Sequence, residues 1–356
     1  MLLAISRAAW AASVLPVPIS TNPGTGDQNP YGVAVVPSGI PGDLLAPGEI
    51  LVSNFNNGAN LQGTGTSIID FRPDGTRFFF FAAPKAFAGL TNALGVVRAG
   101  FVFVGSVSTT DGTFKTVKAG PLLVINANGR LVGQITNLGG VGLDGPWGLA
   151  VDDDGPTAEL YVSSVLNGTV ERIDLSFPAA GGFVVNKITE IAHGYFHQND
   201  AKLLLVGPGG LAFFDEARTL YVASGGETEG GVQSGAIFSI PNANTATTSI
   251  FKGTLVYSDP VHLHGPVGLK RAPNGDLLTA NSDSVNVVPT LPSEIVEFNP
   301  FTHKFVTQFS VDGANGGAFG LELAQNSDPL VPLKFSYVDD NTGTLSTLYL
   351  ATFGQW

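Results

Sequence analysis

The chain has 356 residues, 44% apolar and only 13% charged, a composition that excludes a disordered polymer. Its formal charge of −12 leaves no Lys/Arg stripe able to displace counterions from phosphates, which excludes a nucleic-acid footprint. With 46 glycines, 23 prolines and no cysteine, it calls for many short elements joined by tight turns, without disulfide or thiolate chemistry.

The N-terminal stretch MLLAISRAAWAASVLP is apolar and rich in small residues, in the manner of a secretory signal, although Arg7 interrupts it and no basic segment precedes it. Together with the missing cysteine it sets an extracytoplasmic location, secreted or periplasmic, as the expectation. No apolar run reaches the ~20 residues of a membrane-spanning helix, so no transmembrane segment is expected.

Beyond this stretch one phrase returns six times: NPYGVAV at 29, TNALGVV at 91, GPWGLAV at 145, GPGGLAF at 207, GPVGLKR at 265 and GAFGLEL at 317. The shared glycines are Gly32, Gly95, Gly148, Gly210, Gly268 and Gly320, spaced by 63, 53, 62, 58 and 52 residues. Each phrase is followed by a turn and a second apolar run (EILVSNF, FVFVGSV, ELYVSSV, TLYVASG, DLLTANS, KFSYVDD) of strand character. Third and fourth runs follow, as in SIIDFRPDGTRFFFF and PLLVINANGRLVGQI, where PDG and NANG supply hairpin turns. Each unit therefore predicts a four-stranded antiparallel meander that cannot bury both its faces alone. A radial ring of six buries them and leaves few exposed edges.

The expectation is thus an all-β chain, a single six-bladed β-propeller over 1–356. Its blades fall near 29–84, 85–143, 144–205, 206–263, 264–314 and 315–356. The sixth unit lacks its outer strand, and residues 12–20 of ASVLPVPIS are predicted to supply it, closing the ring by pairing the two ends of the chain.

The phrase P-x-G-[LV]-x-[VF] followed by LYVAS or LYVSS resembles the NHL-type repeat of six-bladed propellers, with Ser or Asn in most units where that repeat carries YVAD. The likeness spans nearly the whole chain and implies the fold of lactonases, paraoxonase-like esterases, strictosidine synthase-like enzymes, amidating lyases and pure interaction modules, so it restrains function little.

In a blade entered at its innermost strand, the connection from the preceding blade and the loop between strands two and three share one end. Four of the five histidines, His193, His197, His262 and His264, lie in connections leading into adjacent blades at that end; His303 falls in a predicted hairpin turn. In an extended segment residues i and i+2 point the same way ~6.5–7 Å apart, so His262 and His264 are expected to converge. A helical turn would do the same for His193 and His197. Neutral imidazoles suit Zn, Cu or Fe, and three histidines with an open position suit an activated water. The plain alternative is that they are hydrogen-bonding loop residues.

Asp144 occupies in its repeat the place of His264 and, with Glu227 of SGGETEGG, is a candidate base; Glu229 is its neighbour. Calcium is the less favoured ion: the resemblance to lactonase-like propellers implies oxygen ligands, for which Asn54, Asn56 and Asn57 stand beside the mouth, but the early Glu of such enzymes has no clear counterpart. VDDDG at 151–155 falls at the opposite end and reads as a solvated turn. Lys270 and Glu322 share a repeat position in neighbouring blades and are expected to pair. No G-x-S-x-G, phosphate loop or H-E-x-x-H is present. Two functions follow as expectations. One is a metal-dependent enzyme, a hydrolase, lyase or oxidase, acting on a small molecule at the channel mouth. The other is a non-catalytic extracellular module recognising a glycan, peptide or protein. A monomer is expected in either case.

Overall fold

The computed structural model describes residues 17–24, 26–42, 44–283, 285–324 and 333–350. The signal-like segment 1–16, including residues 12–16 of the expected closing strand, lies outside them. Six antiparallel sheets are arranged in a ring, numbered here as blades 1 to 6 by their innermost strands Gln28–Val35, Leu90–Val97, Pro146–Asp153, Pro208–Phe214, Pro266–Arg271 and Ala318–Ala324. Each innermost strand packs against the next, and that of blade 6 returns to that of blade 1. Blade 3 departs from the four-stranded plan, because Ile250–Phe251 adds to its outer strand Val184–His193 in parallel.

The ring closes as the sequence predicts. Ile19–Ser20 pairs antiparallel with Thr344–Leu350, Ile19 opposite Leu345 and Ser20 opposite Thr344, and Thr21 donates its hydroxyl to the Gly343 carbonyl at 3.0 Å. Of the described part of the expected closing strand, 17–20, the last two residues form the pairing.

Burial follows from the ring. A strand covered on both faces by neighbouring blades reads as a continuous apolar run rather than an alternation, and every residue of Ile50–Asn56 is buried. Apolar side chains collect into six wedges, one between each pair of neighbours. Leu51, Ile68, Val104 and Leu123 fill the wedge between blades 1 and 2; Val33, Val52, Val338 and Leu345 fill the one that joins blade 1 to blade 6.

The repeated glycine has a physical cause. In every blade the pairing of the first and second strands slips at the phrase itself, between Pro30 and Val33, Leu90 and Leu94, Pro146 and Gly148, Pro208 and Leu211, Pro266 and Gly268, and Ala318 and Leu321. This bulge bends each strand where it meets its neighbour. A Cβ on Gly148 would overlap the Gly209 carbonyl, one on Gly320 the Tyr31 carbonyl, and one on Gly268 would sit 2.5 Å from the Phe319 carbonyl. Hydroxyls bridge the same seams: Ser53 accepts from Gly32 N–H and donates to the Thr91 carbonyl, both at 2.9 Å, while Ser163 accepts from Gly148 N–H and donates to the Gly209 carbonyl at 2.8 Å.

The two ends of the axis differ. Where the innermost strands begin, the residues before the repeat glycines face one another, and Tyr31 stacks between Phe55 (4.5 Å) and Phe319 (4.1 Å) with Trp147 edge-on at 5.9 Å. Asn92 spans the axis to the Val267 carbonyl at 3.0 Å. Where those strands end, the axis widens into a cavity of about 510 Å³.

Gly148→Ala is expected to destabilise the protein by about 1–3 kcal/mol through overpacking of a seam that offers only backbone to move. Urea unfolding measures it; an unchanged midpoint would show that the seam between blades 3 and 4 is not close-packed.

Candidate functional site

The connection into blade 5 turns instead of running extended. Both His262 N–H and Leu263 N–H donate to the Asp259 carbonyl, and this turn throws the two imidazoles apart. His262 swings outward, its Nδ1 2.5 Å from Asp259 Oδ2 and its ring stacked at 3.7 Å on Phe305 of its own blade. His264 turns inward and is fully buried. The i, i+2 convergence expected of the pair is therefore corrected by the local backbone.

His193 and His197 are likewise not on a helical turn. His193 ends the fourth strand of blade 3, half-exposed, with Nδ1 2.7 Å from Ser249 Oγ and 3.7 Å from Glu190. The strand stops there, Tyr195 N–H donates to the Gly168 carbonyl, and His197 Nδ1 lies 3.0 Å from the Tyr195 carbonyl. Among the described residues no three of the four histidines come within ligating reach of one another; His264 instead joins Asp283 and Glu294. His303, as expected, sits in a hairpin turn, at φ 56°, with Nδ1 against the Val256 carbonyl.

The His264 group is the one assembly of its kind among the described residues. Asn281, at the end of the second strand of blade 5, accepts from His264 N–H through Oδ1 at 3.1 Å and donates through Nδ2 to the His262 carbonyl at 2.8 Å, fixing the turn that buries the ring. Glu294 opens the third strand opposite it. His264 Nδ1 lies 3.2 Å from Glu294 Oε1 and 3.9 Å from Asp283 Oδ1, with all three side chains at 0% exposure. Asp283 Oδ2 accepts from Ser293 N–H at 2.6 Å and from Gly316 N–H at 3.4 Å. His264 Nε2 and Asp283 Oδ1 are buried with no hydrogen-bond partner. Burial, reinforced by the charge of Glu294, pushes Asp283 up to about 6 against those two amide hydrogen bonds.

These atoms fit a divalent cation. Imidazole and carboxylate ligands stand ~2.0–2.2 Å from a metal such as zinc, hence about 3–3.5 Å from each other, so small movements would close the group. Two carboxylates balance a 2+ ion, and the donor set of one nitrogen and oxygens is of the type that Zn and its neighbours accept.

Of the two candidate bases, Glu227 is pinned. Its Oε1 accepts from Phe196 N–H (2.7 Å) and Ser224 Oγ (3.1 Å), and its Oε2 meets Lys252 Nζ at 2.5 Å. Asp144 stands before Gly145, as His264 stands before Gly265, and the two glycines share a positive φ of 75° and 77°. Its N–H donates to Ser164 Oγ at 3.1 Å. Of the asparagines, Asn57 caps Ala59 and Leu61, whereas Asn54 and Asn56 each keep a buried amide oxygen without a partner. Asp153 of VDDDG caps Gly155 and receives Arg98, as a surface turn does. Lys270 and Glu322 pair across blades 5 and 6 at 2.8 Å.

Three acidic residues escaped the sequence reading: Glu294, Asp283 and Glu171. The available signal was a carboxylate inside or next to an otherwise apolar strand, SEIVEF and TVERIDL. Glu171 is 1% exposed, takes hydroxyl hydrogen bonds from Ser164 (2.8 Å) and Thr169, and lies near Asp144 and Glu190. Burial pushes its carboxyl up to about 8, with the neighbouring charges adding to the rise and the hydroxyls opposing it.

No family model matches the chain, and no curated protein matches it. Solved structures do. A gluconolactonase of Xanthomonas campestris is 16% identical, with 95% of each chain covered and a TM-score of 0.57. A calcium-binding protein, regucalcin, of Agrobacterium tumefaciens is 11% identical over 93% of each chain, at 0.54. Virginiamycin B lyase of Staphylococcus aureus is 12% identical over 94% of this chain and 99% of its own, at 0.52. At such identities the likeness shows the shared six-bladed fold.

The raised carboxyl of Glu171 sets a pH dependence. Between its ordinary value of 4.5 and about 8 the folded state holds a proton that the unfolded chain has released. Stability contributed by this group is therefore full below 4.5 and falls as pH rises towards 8, by at most one proton's slope, about 1.4 kcal/mol per pH unit. Glu171→Gln is expected to flatten that decline in urea titrations at pH 5 to 9, and an unaltered slope would count against it.

Proposed function

We propose that the protein is a metal-dependent enzyme acting on a small molecule, of the lactone-hydrolysing type. The observation that carries the reading is the buried His264, Asp283 and Glu294 group, whose candidate ligand atoms lie within 4.8 Å of one another and in which Asp283 Oδ1 has no hydrogen-bond partner. The names of two fold neighbours, a gluconolactonase and a calcium-binding protein, support it by analogy. A bound divalent ion would supply Lewis-acid polarisation of a carbonyl. Asn281 orients both His264 and Glu294, and the amides of Ser293 and Gly316 hold Asp283 in place. Of the two candidate bases Asp144 is preferred, since the oxygens of Glu227 are spent on three donors. Because all three side chains are fully buried, substrate access requires the group to become exposed. The reading includes export from the cytoplasm and a monomeric state.

One observation favours the second reading, a non-catalytic binding propeller: the axial positions at this face hold Tyr31, Trp147 and Phe319, with no carboxylate or amide among the residues preceding the six repeat glycines. Such a plug is packed as core and leaves no reaction chamber on the axis at this face.

Elemental analysis of protein purified without chelator or nickel separates the two. The enzyme reading expects about one divalent ion per chain, lost in His264→Ala together with a drop of at least ~10–100-fold in hydrolysis of a panel of five- and six-membered lactones. Metal-free protein that folds normally and hydrolyses no lactone overturns it, and a glycan and peptide binding screen then tests the second reading.

A further inference from the structure

We infer that the cavity at the opposite end of the axis is a separate binding site for a neutral polyhydroxylated ring of monosaccharide size. The inference is independent of the lactone-hydrolysing reading. At about 510 Å³ the cavity falls within the ~300–1,000 Å³ of small-molecule sites. Inward the axial space narrows to about 10 Å³ between the innermost strands, room for about one water. Beyond that, Asn92 and the aromatic plug fill the axis.

Backbone makes the walls as much as side chains do. Each innermost strand is the edge strand of its sheet, so alternate residues turn their N–H and C=O groups to the axis with no strand to meet them. The hairpins fix which residues these are. Val36 N–H donates to the Glu49 carbonyl and its own carbonyl accepts from Gly48 N–H, while Asp154 N–H donates to the Thr157 carbonyl, so both residues face their second strands. Val35 and Val151 stand an odd number of residues away, hence face the axis, and both line the cavity. Leu323 lies three residues past its repeat glycine, as Val35 and Val151 lie past theirs, and its N–H is taken by Glu322 Oε1 at 3.0 Å rather than by a strand. Among the described residues no protein group meets the N–H or C=O of Val35 or Val151 on the axial side.

The ionisable residues of the lining are Lys270, Glu322 and Lys334. Lys270 Nζ and Glu322 Oε2 pair at 2.8 Å and cancel, and Lys334 is not free, so no open charge stands ready to draw an ion. An apolar ligand would strip water from the axial amides and carbonyls and leave them unmatched, at ~1–3 kcal/mol each. A charged ligand would give up its hydration without an unpaired countercharge in return. A hydroxyl both gives and accepts, so one polyhydroxylated ring can serve the axial groups of Val35 and Val151, the spare donors of Lys270 and the remaining lone pairs of Glu322. Its C–H faces would rest on Leu94 and Leu149.

Isothermal titration with galactose tests this, with galactosamine and galacturonate as its charged counterparts and cyclohexanol as the apolar ring. The expected result is saturable 1:1 binding of galactose and weaker binding of the other three. Lys270→Met and Glu322→Gln should each weaken galactose by about tenfold, with thermal midpoints confirming that the variants fold. Each also leaves one charge of the pair uncompensated, so Lys270→Met should shift preference towards galactosamine and Glu322→Gln towards galacturonate. If one variant does not fold, the other carries the test. Absence of saturable galactose binding, cyclohexanol or a charged counterpart binding the unsubstituted protein as tightly, or galactose binding unchanged in a folded variant would overturn the proposal and leave a water-filled channel.

Discussion

The close approach of neighbouring innermost strands at six glycines sets the radius of the ring, and the rest of the molecule is arranged around that contact. A Cβ would meet neighbouring backbone first at Gly148, Gly210, Gly268 and Gly320 and packed side chains first at Gly32 and Gly95, so glycine recurs at all six where little else in the repeats is constant. In blades 1, 3 and 6 the residue preceding this glycine packs into the central aromatic cluster. Whatever stands there decides what the centre of the molecule is made of. In this chain three of the six positions are aromatic, and their rings fill the centre.

That division explains what could be read from the sequence. Blade number, strand order and closure follow from spacing and period, because they are enforced by repeated backbone contacts that leave a repeated trace. The closure by an N-terminal strand was legible because the sixth unit ran out of strands; its register, Ile19 opposite Leu345, was not. The site was less legible because it depends on single turns. His262 and His264 share a sequence neighbourhood, yet the hydrogen bonds to the Asp259 carbonyl send one ring to Phe305 and the other into the blade. Nothing in VHLHGP announces that turn. The partners His264 acquires, Asp283 and Glu294, lie 19 and 30 residues further on, in a loop and a strand start whose acidic residues look ordinary in one dimension.

Chemistry in this protein is segregated by burial more than by distance along the chain. Ten of the described carboxylate residues are buried, and they are handled in different ways. Glu227 is neutralised by Lys252, Glu171 is driven towards its protonated form among hydroxyls, and the pair Asp283 and Glu294 shares an imidazole. The third solution leaves a facing carboxylate oxygen, Asp283 Oδ1, without a hydrogen bond, which is why it, and not the more acidic surface loops, carries the functional reading.

The junction of Ile19 and Ser20 with Leu345 and Thr344 also has a temporal side. On the ribosome this strand emerges hundreds of residues before its partner, so at ~5–20 residues per second it waits on the order of tens of seconds with an unpaired edge. Five blades can form in sequence behind it, but the wedge between blades 6 and 1 has no second wall until synthesis is nearly done. The molecule is in this sense an arc for most of its making, and the interval before it becomes a circle is when its exposed strand edges are most open to wrong partners.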